Sequence, residues 1–219
     1  MKQLAIFDLD GTLVNSIADL ADAVNQTLRQ MHYPTHPLER FYQFVGNGVQ
    51  KLCERALPEN ATSEDQTFLL THFSAYYESH CLQYTVPYHN IPAALEQLKS
   101  AGIQLAAASN KPQRFTEKII RHFFGDDTFA VICGSCETRP KKPAPDIIFE
   151  IMQQLHTEKA QTIFIGDSNV DIMTAANAGI SSIGCTWGFR GREELVAAGA
   201  NFLADDPAQL PDLILHEIL

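Results

Sequence analysis

Ile6–Asn15 reads IFDLDGTLVN, and this stretch decides how the rest of the 219-residue chain is understood. The apolar run Leu4–Phe7 has the character of a strand buried on both faces. Asp8 then stands at the carboxyl end of that strand, where open α/β sheets build their sites. Side chains alternate along a strand, but the chain bends at Gly11, so Asp8 and Asp10 can approach one pocket. Two carboxylates in one pocket suit phosphoryl transfer. One attacks phosphorus; the other protonates the leaving oxygen and later deprotonates water. Two solvated acids at a strand end are the plain alternative for a bare DxD. A Gly-Thr turn behind a hydrophobic strand near the N-terminus favours the catalytic reading.

The bulk composition narrows the classes that remain. A hydrophobic content of 45% is ample for one core, or for a core with a small inserted domain. The formal charge is −10 and there is no basic run, so a nucleic-acid backbone is not an expected partner. The same charge repels phosphate esters. Any phosphate site here must build local positive potential from a metal, a lysine and backbone N–H groups. Five cysteines, at 53, 81, 133, 136 and 185, are scattered and odd in number, which points to a reducing compartment. Cys133 and Cys136 form a lone CxxC with no second pair or histidines at ligand spacing, so neither zinc nor a redox role is assigned to it. No stretch approaches the ~20 apolar residues of a membrane span, and the chain enters its first strand directly, so no signal peptide and a cytoplasmic location are expected.

Further apolar runs recur after position 100, at Leu105–Ala108, Phe129–Cys133, Thr162–Ile165 and Ser182–Gly184. Helical patterns alternate with them at Pro92–Ala101, Pro112–Phe123, Pro145–Leu155 and Ser168–Ala178, the last stopped by Gly179. This is βαβ logic and predicts a doubly wound parallel sheet. Residues 16–82 differ, because they contain no strand-like run. Ile17, Leu20, Ala21, Val24 and Leu28 fall at helical spacing, with Asn15 or Ser16 as cap. Val49–Leu57 and Phe68–Tyr77 suggest two more helical faces. The expected organisation is a catalytic core of 1–15 and 83–219 and a helical cap, 16–82, inserted between the first strand and the rest of the sheet.

Three later segments carry chemistry. In LAAASNKP (105–112), Ser109 ends a buried strand, where a hydroxyl and free N–H groups can hold phosphate oxygens. RPKKPAPD (139–146) places Lys141 and Lys142 in a turn. TIFIGDSNVDIMTAANAG (162–179) puts Asp167 just past a strand and Asp171 four residues on, in the first turn of a helix. Acids at a helix start can simply favour its dipole. Two of them behind a buried strand, in a chain that also has DxDGT, point to a hard-cation site suited to Mg²⁺.

DLDGTLV resembles the first motif of the haloacid dehalogenase superfamily, and the other three segments resemble its remaining motifs in order. The resemblance implies a Rossmann-like α/β core with Asp8 as nucleophile and Asp10 as acid/base. Dehalogenases of the superfamily lack the second Asp, since halide leaves without a proton, so Asp10 implies phosphate chemistry. It further implies that Thr12, Ser109 and Asn110 bind phosphate and that Lys142, by register against K-P-x-P, offsets charge beside the nucleophile. The metal set it implies is the Asp8 carboxylate, the Asp10 carbonyl and the Asp167 carboxylate, with Asp171 acting through water or behind the ligands.

Two more segments are similar to those of bacterial phosphoglycolate phosphatases: VGNGVQKL (45–52), where Gly46-Asn47-Gly48 offers backbone donors before a helix, and WGFRGREELVAAGA (187–200), where Arg190 or Arg192 could meet a carboxylate. The function implied is Mg²⁺-dependent hydrolysis of a small phosphorylated metabolite, 2-phosphoglycolate foremost, through a phosphoaspartate, by a monomer or homodimer. Pyrophosphatase, another small-metabolite phosphatase, a phosphomutase and a non-catalytic binding module are the alternatives. Such chains often carry Tyr-Pro-Gly where this one has Tyr88-His89-Asn90, which leaves the core-to-cap hinge open.

Overall fold

The computed structural model describes residues 2–217. Strand β1 (Leu4–Phe7) is fully buried, and its two faces feed different cores: Ala5 and Phe7 turn to one, Leu4 and Ile6 to the other. That is the pattern of a strand covered on both faces. It lies centrally between β4 (Gln104–Pro112) and β6 (Thr162–Gly166), both parallel to it. With β5 (Val131–Ser135), β7 (Ser181–Cys185) and β8 (Phe202–Ala204), the order across the six-stranded sheet is β5-β4-β1-β6-β7-β8. Counted along the chain this is 3-2-1-4-5-6, the doubly wound order whose switch point falls between β1 and β6. Asp8 and Asp167 follow those two strands. The sequence reading placed five of the six strands; β8, only three residues long, was missed.

Helices α5 (Ile91–Ser100) and α6 (Gln113–Phe124) pack on the Phe7 face, and α7 (Asp146–Gln154) and α8 (Asn169–Ala178) on the Ile6 face. Gly179 ends α8 in the left-handed conformation, as its position predicts. Asn90, in the stretch where the sequence leaves the core-to-cap hinge open, has the same physical basis. Asn90 adopts φ 65°, a region where asparagine substitutes for glycine at modest cost, and its amide reaches Asp206 Oδ1 at 3.0 Å.

The segment between β1 and α5 is helical, as expected, but has four helices where three faces were read: α1 (Ile17–Gln30), α2 (Leu38–Phe44), α3 (Val49–Ala56) and α4 (Ser63–His80). The seven-residue α2 buries only Phe41 and Phe44, too few positions to show a period. The chain leaves and re-enters through a short antiparallel pair, β2 (Val14–Asn15) with β3 (Val86–Pro87). Buried Asp19 secures the return, accepting from the Tyr84 and Thr85 N–H groups and the Thr85 hydroxyl. Ser16 was a candidate cap for α1, yet its hydroxyl donates to Asp10 instead, and Asn15 Oδ1 takes the Ile17 N–H at 3.3 Å. Among the described residues no helix is long and apolar enough to cross a membrane.

Candidate active site

Asp8 sits one residue past β1, 8% exposed, with its N–H on Ile165 O at 2.9 Å. Lys142 enters from the turn before α7, and its ammonium is fully engaged. It meets Asp8 Oδ1 at 2.8 Å, Asp171 Oδ1 at 2.7 Å and Ala108 O at 2.9 Å. Burial alone would lower its pKa, but the Asp171 and Asp8 charges win and hold it above the ordinary lysine value. Lys141, by contrast, is exposed.

Asp171 is fully buried in the first turn of α8. Its second oxygen accepts the Ser168 N–H and hydroxyl in a reciprocal cap. Both carboxylate oxygens are thereby occupied, so Asp171 positions Lys142 and the helix start. Asp167 is different. Its Oδ2 accepts the Phe189 N–H at 2.7 Å, and among the described residues its Oδ1 makes no hydrogen bond and no cation touches it. The approach here is close enough that only glycines fit: a Cβ on Gly11 (φ +91°) or on Gly188 would overlap the Asp167 carboxyl.

Asp8, Asp167 and Asp171 present oxygens within 4.8 Å of one another. Burial, the pull of Lys142 and the repulsion of Asp171 together leave the Asp8 carboxyl pushed up to about 7. Burial followed by the Asp171 and Asp8 charges pushes Asp167 well above the ordinary carboxylate range. Four buried or half-buried acids (Asp8, Asp10, Asp167, Asp171) face two ammonium groups (Lys111, Lys142), a formal excess of two negative charges. An uncompensated buried charge is costly. A hard divalent cation on the free Asp167 oxygen and Asp8 fits this donor set in chemistry and in charge.

The second lysine, Lys111, was missed by the sequence reading. It is 4% exposed, and its ammonium spans both Asp10 oxygens at 2.9 Å. The β4–β5 ladder is interrupted between Ala108 and Pro112, which frees Ser109–Lys111 from regular pairing. The signal was present in SNKP: Lys111 lies two residues beyond Ser109, the strand period.

A cavity lies above these groups. Asp8, Asp10, Asp167, Ser109, Asn110 and Lys111 line its floor; Leu20, Val45, Gly46, Gly48, Val49 and Leu52 come from the helical segment. Two residues expected here, Asn47 and Thr12, have other surroundings, and a third, Asn110, is held by other contacts. Asn47 is turned away, its Oδ1 accepting from Arg55 at 2.8 Å over a separate shallow depression. Thr12 is folded under the Leu9–Val14 turn, its hydroxyl fully buried with no partner among the described residues and its carbonyl accepting from the Trp187 indole. Asn110 lines the cavity, but its amide is spent on Gly46 O, Lys142 O and the Lys142 N–H. Arg190 donates to Val45 O at 2.8 Å and so ties the loop after β7 to the helical segment, while Arg192 pairs with exposed Asp205. Cys133 is buried and Cys136 exposed, and both thiols are free.

Comparison with known proteins shows the family. The haloacid dehalogenase-like hydrolase family matches residues 5–185. A phosphoglycolate phosphatase of Psychrobacter arcticus is 35% identical over 98% of this chain and 96% of its own length. One from Colwellia psychrerythraea is 37% identical over 93% of each. A crystal structure described as a predicted phosphoglycolate phosphatase from Haemophilus somnus superposes with a TM-score of 0.91 at 29% identity, covering 97% of both chains. The chain belongs to the haloacid dehalogenase-like hydrolases, on the phosphatase side of that family.

Proposed function

We propose that this chain is a Mg²⁺-dependent phosphatase that hydrolyses a small phosphomonoester, 2-phosphoglycolate foremost, by way of an aspartyl phosphate on Asp8. The observation that carries the reading is the placement of Asp8 at the sheet's switch point, in contact with Lys142 and within 4.8 Å of Asp167. The phosphoglycolate phosphatases among its relatives supply the substrate.

Asp8 attacks phosphorus, and the Asp10 carboxyl, held between Lys111 and the Ser16 hydroxyl, gives its proton to the leaving oxygen. In the second half-reaction Asp10 takes a proton from the water that attacks the aspartyl phosphate. Lys142 lowers the repulsion between a carboxylate and a phosphate dianion, and the Ser109 hydroxyl donates to a phosphate oxygen. Asp8 and Asp167 would hold Mg²⁺, which when bound neutralises charge on the phosphate and on the acids around it. Residues 16–82 act as a cap. Arg190 and Asn110 fasten its Val45–Gly46 turn to the core, which closes the cavity and limits it to small substrates.

The test is release of inorganic phosphate from a panel of about twenty phosphorylated metabolites with Mg²⁺, with EDTA controls. The expected result is a higher kcat/KM for 2-phosphoglycolate than for pyrophosphate, β-glucose 1-phosphate or a nucleoside monophosphate. A tenfold preference for another metabolite would replace the substrate; absence of phosphate release would remove the phosphatase reading.

A further inference from the structure

Each cation that reaches the cavity can be assigned by its contacts. Lys142 is committed to Asp8 and Asp171. Arg190 is spent on cap carbonyls. Lys141 is exposed at the rim, beside Gly48. Lys111 alone is buried, faces the cavity and touches the acid that serves the leaving group rather than the nucleophile.

That position has a geometric consequence. To pass its proton, Asp10 must come within about 2.6–3.2 Å of the ester oxygen. Lys111 Nζ is 2.9 Å from each Asp10 oxygen, so it stands beside whatever is bonded to that ester oxygen. In an ester of the form phosphate–O–CH₂–COO⁻ the carboxylate carbon is two bonds from the ester oxygen. Its oxygens then fall in the space next to the Lys111 ammonium. Leu20, Val49 and Leu52 from the cap give this cavity an apolar wall, and the Tyr77 ring centroid lies 4.9 Å from Nζ. A carboxylate carried on the leaving group beside Asp10 meets the Lys111 ammonium before the cations at the rim, Arg190 and Lys141.

The geometry points to Lys111 as the residue that selects leaving groups carrying an anion two bonds from the ester oxygen, in addition to positioning Asp10. This rests on the phosphoglycolate reading above and names the group that reads the carboxylate. An ammonium has three donors, and two contacts of this one go to Asp10. It also explains how a chain of charge −10 admits a substrate with three negative charges: the lysines are divided, Lys142 to the phosphate end and Lys111 to the carboxylate end.

The experiment compares 2-phosphoglycolate with ethyl phosphate, which lacks the carboxylate, in the wild-type enzyme and in Lys111→Met, Lys111→Gln and Lys111→Arg. Because Lys111 also holds Asp10, both substrates lose activity in the Met and Gln variants; the inference lies in the ratio of the two kcat/KM values. That ratio is expected to fall about 10–100-fold, the range of one charge-assisted hydrogen bond, and Lys111→Arg is expected to restore part of it. Inhibition by glycolate should weaken in parallel. Circular dichroism establishes folding, and the Gln variant stands in if the Met variant does not fold. A wild-type preference that survives in the Met or Gln variant overturns the inference alone. A wild-type enzyme with no preference for the charged ester overturns the substrate reading, and the inference with it.

Discussion

Lys142 Nζ lies 2.7 Å from Asp171 Oδ1, and that pair joins the start of α8 to the end of β1 through a single ammonium group. Asp171 caps its helix with one oxygen and holds the lysine with the other. Asp8 is therefore placed by a chain of buried contacts, each satisfied by the next.

Replacing Lys142 by Met removes the only cation between two buried carboxylates. Loss of one partner of a buried pair typically costs about 3–5 kcal/mol, so urea unfolding at pH 8 should show a loss of that order. The sign with pH follows from Asp8. Its folded-state pKa is already raised, to about 7, and without Lys142 it rises further, so the penalty is present at high pH and relaxes as pH falls and the carboxyl takes up a proton. A destabilisation that does not change between pH 8 and pH 5 would count against this reading of the pair.

Asp8→Asn should abolish both turnover and trapping of covalent phosphate. Asp10→Asn should keep the nucleophile and lose the proton donor, a group typically contributing ~10²–10⁴-fold. Its loss should be large for an alkyl phosphate and smaller for an activated aryl phosphate, whose leaving group departs without a proton. Equal losses on the two substrates would remove Asp10 from the role of general acid.

The strands were legible because β1, β6, β7 and the Leu105–Ala108 part of β4 are short apolar runs bounded by turn residues, and four motif residues, Asp8, Asp10, Lys142 and Asp167, stand at or just beyond strand ends or turns that sequence can mark. What was not legible depends on tertiary direction. Asn47 and Thr12 are polar residues beside glycines, and their sequence neighbourhood says nothing about which way a turn rolls; one faces Arg55 and the other is folded inward. Ser16 has the chemistry of a helix cap, yet Asp10 competes for its hydroxyl from across the hinge. Lys111 has the look of a solvated turn lysine in sequence, and only the interrupted β4–β5 ladder and its contact with Asp10 bury it. β8 is too short to carry a period of its own and owes its place to pairing with β7.

Gly188→Ala tests the packing around Asp167. A methyl group there would overlap the Asp167 side chain and the Gly11 carbonyl, and neither is the free end of a flexible chain. Overpacking of this kind typically costs about 1–3 kcal/mol and displaces the carboxylate. The expected outcome is a folded protein of lower Tm with Mg²⁺ dependence shifted to higher concentration, read by activity against Mg²⁺ and by calorimetry. Unchanged Mg²⁺ dependence would mean that the Asp167 carboxyl has room that this geometry denies it.

Cys136 is the one exposed thiol; Cys53, Cys81, Cys133 and Cys185 are buried. The Thr138 hydroxyl beside it holds its pKa below the ordinary thiol value, whereas burial raises that of Cys133. The native protein should therefore react with one equivalent of a thiol reagent rapidly, and with the remainder only on unfolding. The rate should rise with pH and reach half its maximum below pH 9. Cys136→Ser should abolish the fast phase; two fast thiols would show that the sheet exposes Cys133.

The last prediction joins metal affinity to pH. The Asp8 carboxyl is pushed up to about 7 by burial, against the pull of Lys142 and with repulsion from Asp171. Mg²⁺ needs the ionised form, so binding below that pH must displace a proton. Apparent affinity should fall as pH drops through about 7, by about tenfold per pH unit for Asp8 alone and more steeply where Asp167, also raised by burial, takes up a proton. The folded pKa lies above the unfolded one, so in metal-free protein the ionised Asp8 carries a stability penalty that is absent near pH 4 and complete above about pH 7. Mg²⁺ should accordingly raise the Tm more at pH 8 than at pH 5, and EDTA should reverse the gain along with the activity. In Asp167→Ala, which removes the acid with the free oxygen, the Tm should respond little to Mg²⁺ at either pH, and turnover should be lost although the protein folds. An equal Mg²⁺-dependent rise in Tm at both pH values, or normal turnover in Asp167→Ala at ordinary Mg²⁺, would place the cation elsewhere.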